Sequence, residues 1–171
     1  MSLSRIIARL DIKGPNLVKG IHLEGLRVLG KPWAFARTYY EEGADELFFQ
    51  DSVASLYERN SLNDIISRTA KGVFVPLTVG GGIRDLKDIS NVLRNGADKV
   101  AINTAAIKNP KFVGEAVREY GSANITVSIE AGHCGDNKYH AFLNYGREDS
   151  GVDVVEWAKI MEQMGAGEVI L

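Results

Sequence analysis

"NITVSIEA" (124–131) alternates strictly. Thr126, Ser128 and Glu130 fall on one face of an extended strand, and Ile125, Val127 and Ile129 fall on the other. In an open doubly wound sheet, covered by helices on both sides, strands are apolar on both faces. One polar and one apolar face suits a closed (β/α)8 barrel, whose strands meet helices outside and line a functional mouth inside. The run "RIIARLDI" (5–12) has the same division, with Arg5, Ile7, Arg9 and Asp11 set against Ile6, Ala8 and Leu10. Pro76, inside "VFVPLTV" (73–79), is a mild objection because proline removes a ladder donor.

Working outward, further short apolar runs occur at "ELFFQD" (46–51), "KVAINT" (99–104) and "EVIL" (168–171). Between the runs, apolar residues recur at helical spacing: Trp33, Ala36 and Tyr40; Leu62, Ile65, Ile66 and Ala70; Leu86, Ile89, Val92 and Leu93; Val113, Ala116, Val117 and Tyr120; Val154, Ala158, Met161 and Met164. Only Arg37 interrupts these stripes, which are read as core. Ser61 with Asp64 and Ser150 with Asp153 read as capping boxes, and Asn109-Pro110 as a cap before a first-turn proline. Gly43, Gly72, Gly96, Gly121 and Gly165 stand where helices need a left-handed stop. The expectation is about five strand-helix units plus a sixth strand, joined by right-handed crossovers into a parallel sheet. Residues 1–171 are expected to be the N-terminal part of one barrel domain, with strands seven and eight absent. A phrase recurs at the strand starts: "GADE" (43–46), "GADK" (96–99) and "GAGE" (165–168).

With 45% hydrophobic and 25% charged residues, the chain can bury a core, which argues against disorder. Twenty basic residues against 22 acidic ones offer no broad attraction for nucleic acid or an anionic membrane. No run approaches the roughly 18 apolar residues of a membrane span. The single cysteine, Cys134, excludes an internal disulfide framework, and a cytoplasmic protein is expected.

Chemistry is expected at the C-terminal ends of the strands. "TVGGGIRDL" (78–86) runs three glycines into a helix, an arrangement that lets backbone approach an anion closely. It is not the dinucleotide fingerprint, which would place a glycine where Asp85 stands. A plain tight turn also explains it. Asn103-Thr104 at the next strand end would add polar donors beside Gly81 and Gly82. Asp11, Asp51 and Glu130 close three strands and are candidates for general acid and base. The long segment 11–31 reads as a lid carrying Lys13 and Lys19. His133, Cys134, Asp136 and His140 lie in "GHCGDNKYH" (132–140), which resembles a hairpin turn and lacks zinc spacing. No metal, cofactor or cysteine nucleophile is expected.

Several stretches together resemble one family: "ARLDIKG" (8–14), "NLVKGIHLEGLR" (16–27), "YYEEGADELFFQD" (39–51), "PLTVGGGIR" (76–84), "GADKVAINTAAIKNP" (96–110) and "GVDVVEWAKIMEQMGAGE" (151–168). They are similar to the cyclase subunit of imidazole glycerol phosphate synthase, the HisF family. The resemblance implies a (β/α)8 barrel and a lyase/cyclase of histidine biosynthesis. Such an enzyme uses ammonia from a glutaminase subunit, its heterodimer partner. It converts a phosphoribulosyl formimino aminoimidazole carboxamide ribonucleotide to imidazole glycerol phosphate and an aminoimidazole carboxamide ribonucleotide.

The same resemblance implies catalytic roles for Asp11 and Glu130. It implies phosphate or substrate binding by Lys19, Asp51, Gly81, Gly82, Asn103 and Thr104. Arg5, Glu46, Lys99 and Glu168 match the family's charged ring at the ammonia entrance; without the resemblance they read as solvated strand starts. Glu130 stands where the family usually has aspartate, and Arg9 where it more often has a small residue, so Arg9 is expected to pair with Glu130. These departures fit an alternative, a paralogue delivering ammonia to a nucleotide sugar in surface polysaccharide synthesis. A further alternative is a non-catalytic half-barrel that binds a partner. The 171 residues alone are expected to turn over little.

Overall fold

The computed structural model describes residues 4–21, 25–52 and 62–171. They form two compact units, Met1–Gly82 with Ser90–Lys99, and Ile83–Ile89 with Val100–Leu171.

The first unit contains β1 (Ile7–Lys13), β2 (Asn16–Ile21), β3 (Gly25–Gly30), α1 (Pro32–Glu41), β4 (Glu46–Asp51), α2 (Asn63–Ala70) and β5 (Leu77–Gly80). β1 and β4 pair in parallel, with Leu10 opposite Phe49, and β4 pairs in parallel with β5, with Phe48 opposite Thr78. Leu10, Ile12, Leu47, Phe48, Phe49 and Val79 are buried, so apolar burial closes this unit around β4. α1 and α2 bury the expected stripes through Ala36, Ile65 and Ile66. Arg37, the interruption, faces solvent and donates to Glu41 one turn on at 2.8 Å.

Two expectations change in this unit. The third strand starts at Leu77, so Pro76 precedes it and its carbonyl accepts from Leu47 N at 2.9 Å; no ladder donor is lost. The segment 11–31 is not an irregular loop over its described residues. β1 continues to Lys13, and β2 folds back antiparallel on β1 while β3 pairs with β2, because Leu17 and Val18 supply an apolar anchor. Ser61, half of one expected capping box, lies outside the described residues.

The second unit pairs β6 (Lys99–Ile102) in parallel with β7 (Ile125–Ser128), and β7 in parallel with β11 (Glu168–Ile170). Its helical segments are α4 (Thr104–Lys108), α5 (Pro110–Tyr120) and α6 (Val154–Gln163); α3 (Leu86–Arg94) begins in this unit. A separate antiparallel sheet contains β8 (Glu130–His133), β9 (Tyr139–Leu143) and β10 (Glu148–Asp153). "NITVSIEA" is therefore divided: β7 ends at Ser128, and Glu130 opens β8. Between them Ile129 is buried and donates from its N–H to Ile170 O at 2.8 Å.

The Ser150 capping box is also displaced. Asp153 itself caps α6, accepting from Val155 N and Glu156 N at 2.9 and 3.1 Å, while Ser150 donates to Ala141 O across the sheet at 2.6 Å. Asn109 makes no side-chain cap bond, although Pro110 does occupy the first turn of α5. Gly43, Gly96, Gly121 and Gly165 all have positive φ, although Gly121, with ψ of 151°, is extended rather than left-handed helical, and Gly72 is not among them.

The repeated phrase has a shared geometry. In "GADE", Asp45 donates its N–H to Ile6 O at 3.0 Å and its carboxylate accepts from Ile6 N at 2.7 Å. In "GADK", Asp98 makes the same two bonds to Leu77, at 2.9 and 2.8 Å. "GAGE" keeps only the backbone half, from Gly167 N to Ile125 O at 3.0 Å. The carboxylate cannot be added there, since a Cβ on Gly167 would run into the Ser122 carbonyl. The fold class is thus α/β, with parallel strands and alternating strand-helix units as expected of a stretch of (β/α)8 barrel.

Candidate functional site

Glu46 opens β4 and is 1% exposed. A carboxylate buried this far must find donors or lose its charge. Thr78 Oγ1 donates to it at 2.7 Å, Lys99 Nζ approaches its two oxygens at 3.1 and 3.0 Å, and Arg5 Nη1 reaches Oε2 at 3.1 Å. Three of the four residues matched to a charged ring therefore meet in the first unit. Glu168 lies in the second unit, at the start of β11 opposite Thr126.

Asp11 lies towards the C-terminal end of β1. Arg9, expected to pair with Glu130, donates through Nε to Asp11 Oδ1 at 2.9 Å, and its guanidinium lies 5.7 Å from the centre of the Phe48 ring. Both members of that pair are about half exposed, so its stabilising value is small. Asp51, by contrast, is buried at the end of β4. Lys19 is exposed on β2, opposite Arg27.

The glycine run packs on β4. A Cβ on Gly80 would sit 2.8 Å from Gln50 Oε1 and 3.1 Å from the Phe48 ring. One on Gly81 would lie 2.5 Å from the Asp51 carbonyl oxygen, and Gly81 has φ of 97°. Close approach of two strand ends accounts for Gly80 and Gly81 without any ligand.

In the second unit, Asn103 and Thr104 hold a strand end. Asn103 Nδ2 donates to Phe142 O at 3.2 Å, and Thr104 Oγ1 accepts from Asn144 N at 3.1 Å. The hydroxyl keeps its own proton to donate. Asn103 Oδ1 is buried with no hydrogen-bond partner among the described residues. Glu130 stands opposite Phe142 in the β8–β9 ladder, so Asn103, Thr104 and Glu130 gather around the same end of β9. The sequence did not reveal this hairpin as their support, because the bonds run to backbone atoms.

"GHCGDNKYH" does form the expected hairpin, with Gly135, Asp136 and Asn137 at positive φ and Cys134 N donating to Lys138 O at 2.8 Å. His133 packs edge-on against Tyr139. Cys134 and His140 meet a residue the sequence reading missed, Asp149. His140 Nδ1 lies 3.0 Å from both Asp149 oxygens and Cys134 Sγ lies 3.5 Å from Oδ2. The Gly151 N–H and then the His140 ring hold the Asp149 carboxyl below its usual range. Desolvation, reinforced by Asp149, pushes the Cys134 thiol up. Among the described residues no helix is long and apolar enough to cross a membrane.

Comparison with known proteins assigns the family. Over all 171 residues the chain is 55% identical to "Imidazole glycerol phosphate synthase subunit HisF" of Legionella pneumophila, covering 81% of that protein's length. It is 44% identical over the same residues to proteins of that name from two strains of Bacillus cereus, covering 68% of each. Residues 5–171 match the family model described as histidine biosynthesis protein, and the chain belongs to that family.

Proposed function

We propose that this chain carries the cyclase activity of imidazole glycerol phosphate synthase, a lyase reaction in histidine biosynthesis. Identity of 55% over the whole chain to a protein of that name carries the reading. In it, ammonia and the phosphoribulosyl formimino ribonucleotide yield imidazole glycerol phosphate and the aminoimidazole carboxamide ribonucleotide. Addition of ammonia and cleavage of a C–N bond both require protons to move. Asp11 takes the role of general acid and base, and Glu130 is the second carboxylate. Gly81, Gly82, Asn103 and Thr104 bind phosphate, with Lys19 and Asp51 facing the substrate. The Asn103 amide and Thr104 hydroxyl are already oriented by the β9 strand end, which limits the entropy lost on binding.

Arg5, Glu46, Lys99 and Glu168 form the ammonia entrance, facing a glutaminase subunit in a cytoplasmic heterodimer. No cofactor is required. A second reading, amidination of a nucleotide sugar by a paralogue, draws on the Arg9 guanidinium, which donates to Asp11 at 2.9 Å and so occupies the carboxylate proposed to act on the ribonucleotide. Calorimetry separates the two. The native gene product should bind the ribulosyl bisphosphate substrate, and Gly82→Val should weaken that binding by about tenfold or more, since its backbone has φ of 73°, a conformation a branched residue adopts only under strain. Binding of a nucleotide sugar and not of the bisphosphate would select the second reading.

A further inference from the structure

Cys134, His140 and Asp149 lie outside every role assigned above, and their ligand atoms all fall within 4.8 Å of one another. The sheet explains why they converge. Gly132 is opposite His140 and Phe142 is opposite Asp149, so the period of two puts His140 and Asp149 on one face of β9 and β10, with Cys134, two residues after Gly132 and just past the end of β8, on the same side. The shift in the β10 register between Asp149 and Asp153 includes Gly151 at φ of 71°, whose N–H donates to Asp149 Oδ1 at 2.8 Å and fixes the carboxylate. The Cys134 backbone is pinned by Lys138 across the turn.

We infer that Cys134, His140 and Asp149 form a binding site for one divalent, borderline-soft cation of the Zn2+ class, tying together the three strands of this sheet. The donor set is the reason for that class: a thiolate and an imidazole beside one carboxylate disfavour Mg2+ and Ca2+, which require oxygen ligands. Bond lengths of about 2.0–2.3 Å to a tetrahedral zinc ion place ligand atoms about 3.5 Å apart. The His140–Asp149 and Cys134–Asp149 separations, 3.0 and 3.5 Å, already approach that spacing. On binding, the thiol proton leaves to solvent, the hydrogen bonds to Asp149 are replaced by metal bonds, and a water completes the fourth position. Gly151 N–H then supports the ligating carboxylate from outside. The site is independent of the cyclase reading.

The test uses the chelator-treated native gene product, titrated with Co2+ and then with Zn2+. One equivalent of Co2+ should give a thiolate-to-cobalt charge-transfer band with tetrahedral d–d absorption, and Zn2+ should displace it. Cys134→Ser should abolish that band, and His140→Ala or Asp149→Asn should weaken binding by about tenfold or more. His133→Ala should leave binding unchanged, since His133 packs on Tyr139. Zn2+ should also raise the melting temperature of the unaltered protein and not of Cys134→Ser. No charge-transfer band at stoichiometric Co2+, or a band that survives in Cys134→Ser, overturns the proposal.

Discussion

At the scale of single residues, Glu46 shows why burial decides the worth of a charge. It is buried with a hydroxyl and two cations around it, whereas Arg5, one of those cations, has a side chain 55% exposed. Removing the carboxylate takes away the buried group that Lys99, Thr78 and Arg5 all share, so Glu46→Ala should lower unfolding stability by about 3 kcal/mol in urea denaturation. Arg5→Ala should cost less than about 1 kcal/mol, because solvent screens that partner. Equal losses for the two would show that the pairs are not ordered as described. The "GADE" phrase pointed to Glu46, but nothing in the sequence named Thr78 as its donor: that bond depends on the β4–β5 register, which places Phe48 opposite Thr78. Asp149 was missed for the same kind of reason, since its place opposite Phe142 in the β9–β10 register is what sets it on the face of His140.

At the scale of elements, the repeated phrase becomes a clamp between a helix end and the neighbouring strand start. Asp98→Ala removes the acceptor for Leu77 N while sparing the backbone half, and should cost about 1–2 kcal/mol in thermal or urea unfolding. Gly167→Asp, which writes the same aspartate into the third phrase, should destabilise and not stabilise, because its Cβ meets the Ser122 carbonyl. Asp153→Ala should lose about 1 kcal/mol as the cap of α6, whereas Ser150→Ala should leave the helix start in place. Helix stripes were legible because one-sided burial imposes a period of 3.6 on a long segment. Capping residues were less so: a serine before an acidic residue reads as a box, yet the Ser150 hydroxyl is committed to Ala141 O in the sheet. The antiparallel additions were the least legible, since β2 and β3 hide within a segment that reads as a glycine-punctuated loop.

At the scale of the molecule, parallel pairing around β4 in one unit and around β7 in the other bears out the strand-helix alternation read from the sequence. The alternating faces of "NITVSIEA" pointed to the right class for a reason that holds only in part: Thr126 is fully buried, and the last polar residue, Glu130, belongs to another sheet. The proposed entrance makes a prediction that requires the assembled complex. Lys99→Met, which keeps the bulk of the side chain and deletes its charge, should lower glutamine-driven turnover while sparing turnover driven by added ammonia; an equal loss with both nitrogen sources would remove Lys99 from the ammonia route.

The central claim is an ammonia-dependent cyclase in which Asp11 moves protons. Its most direct test is turnover of the phosphoribulosyl formimino ribonucleotide by the native gene product at saturating ammonia, with Asp11→Asn beside it. The account predicts formation of both products by the unaltered protein and a fall of about 100-fold or more in Asp11→Asn with its unfolding midpoint retained. No product from the unaltered protein, or an Asp11→Asn variant that turns over at the full rate, would contradict it.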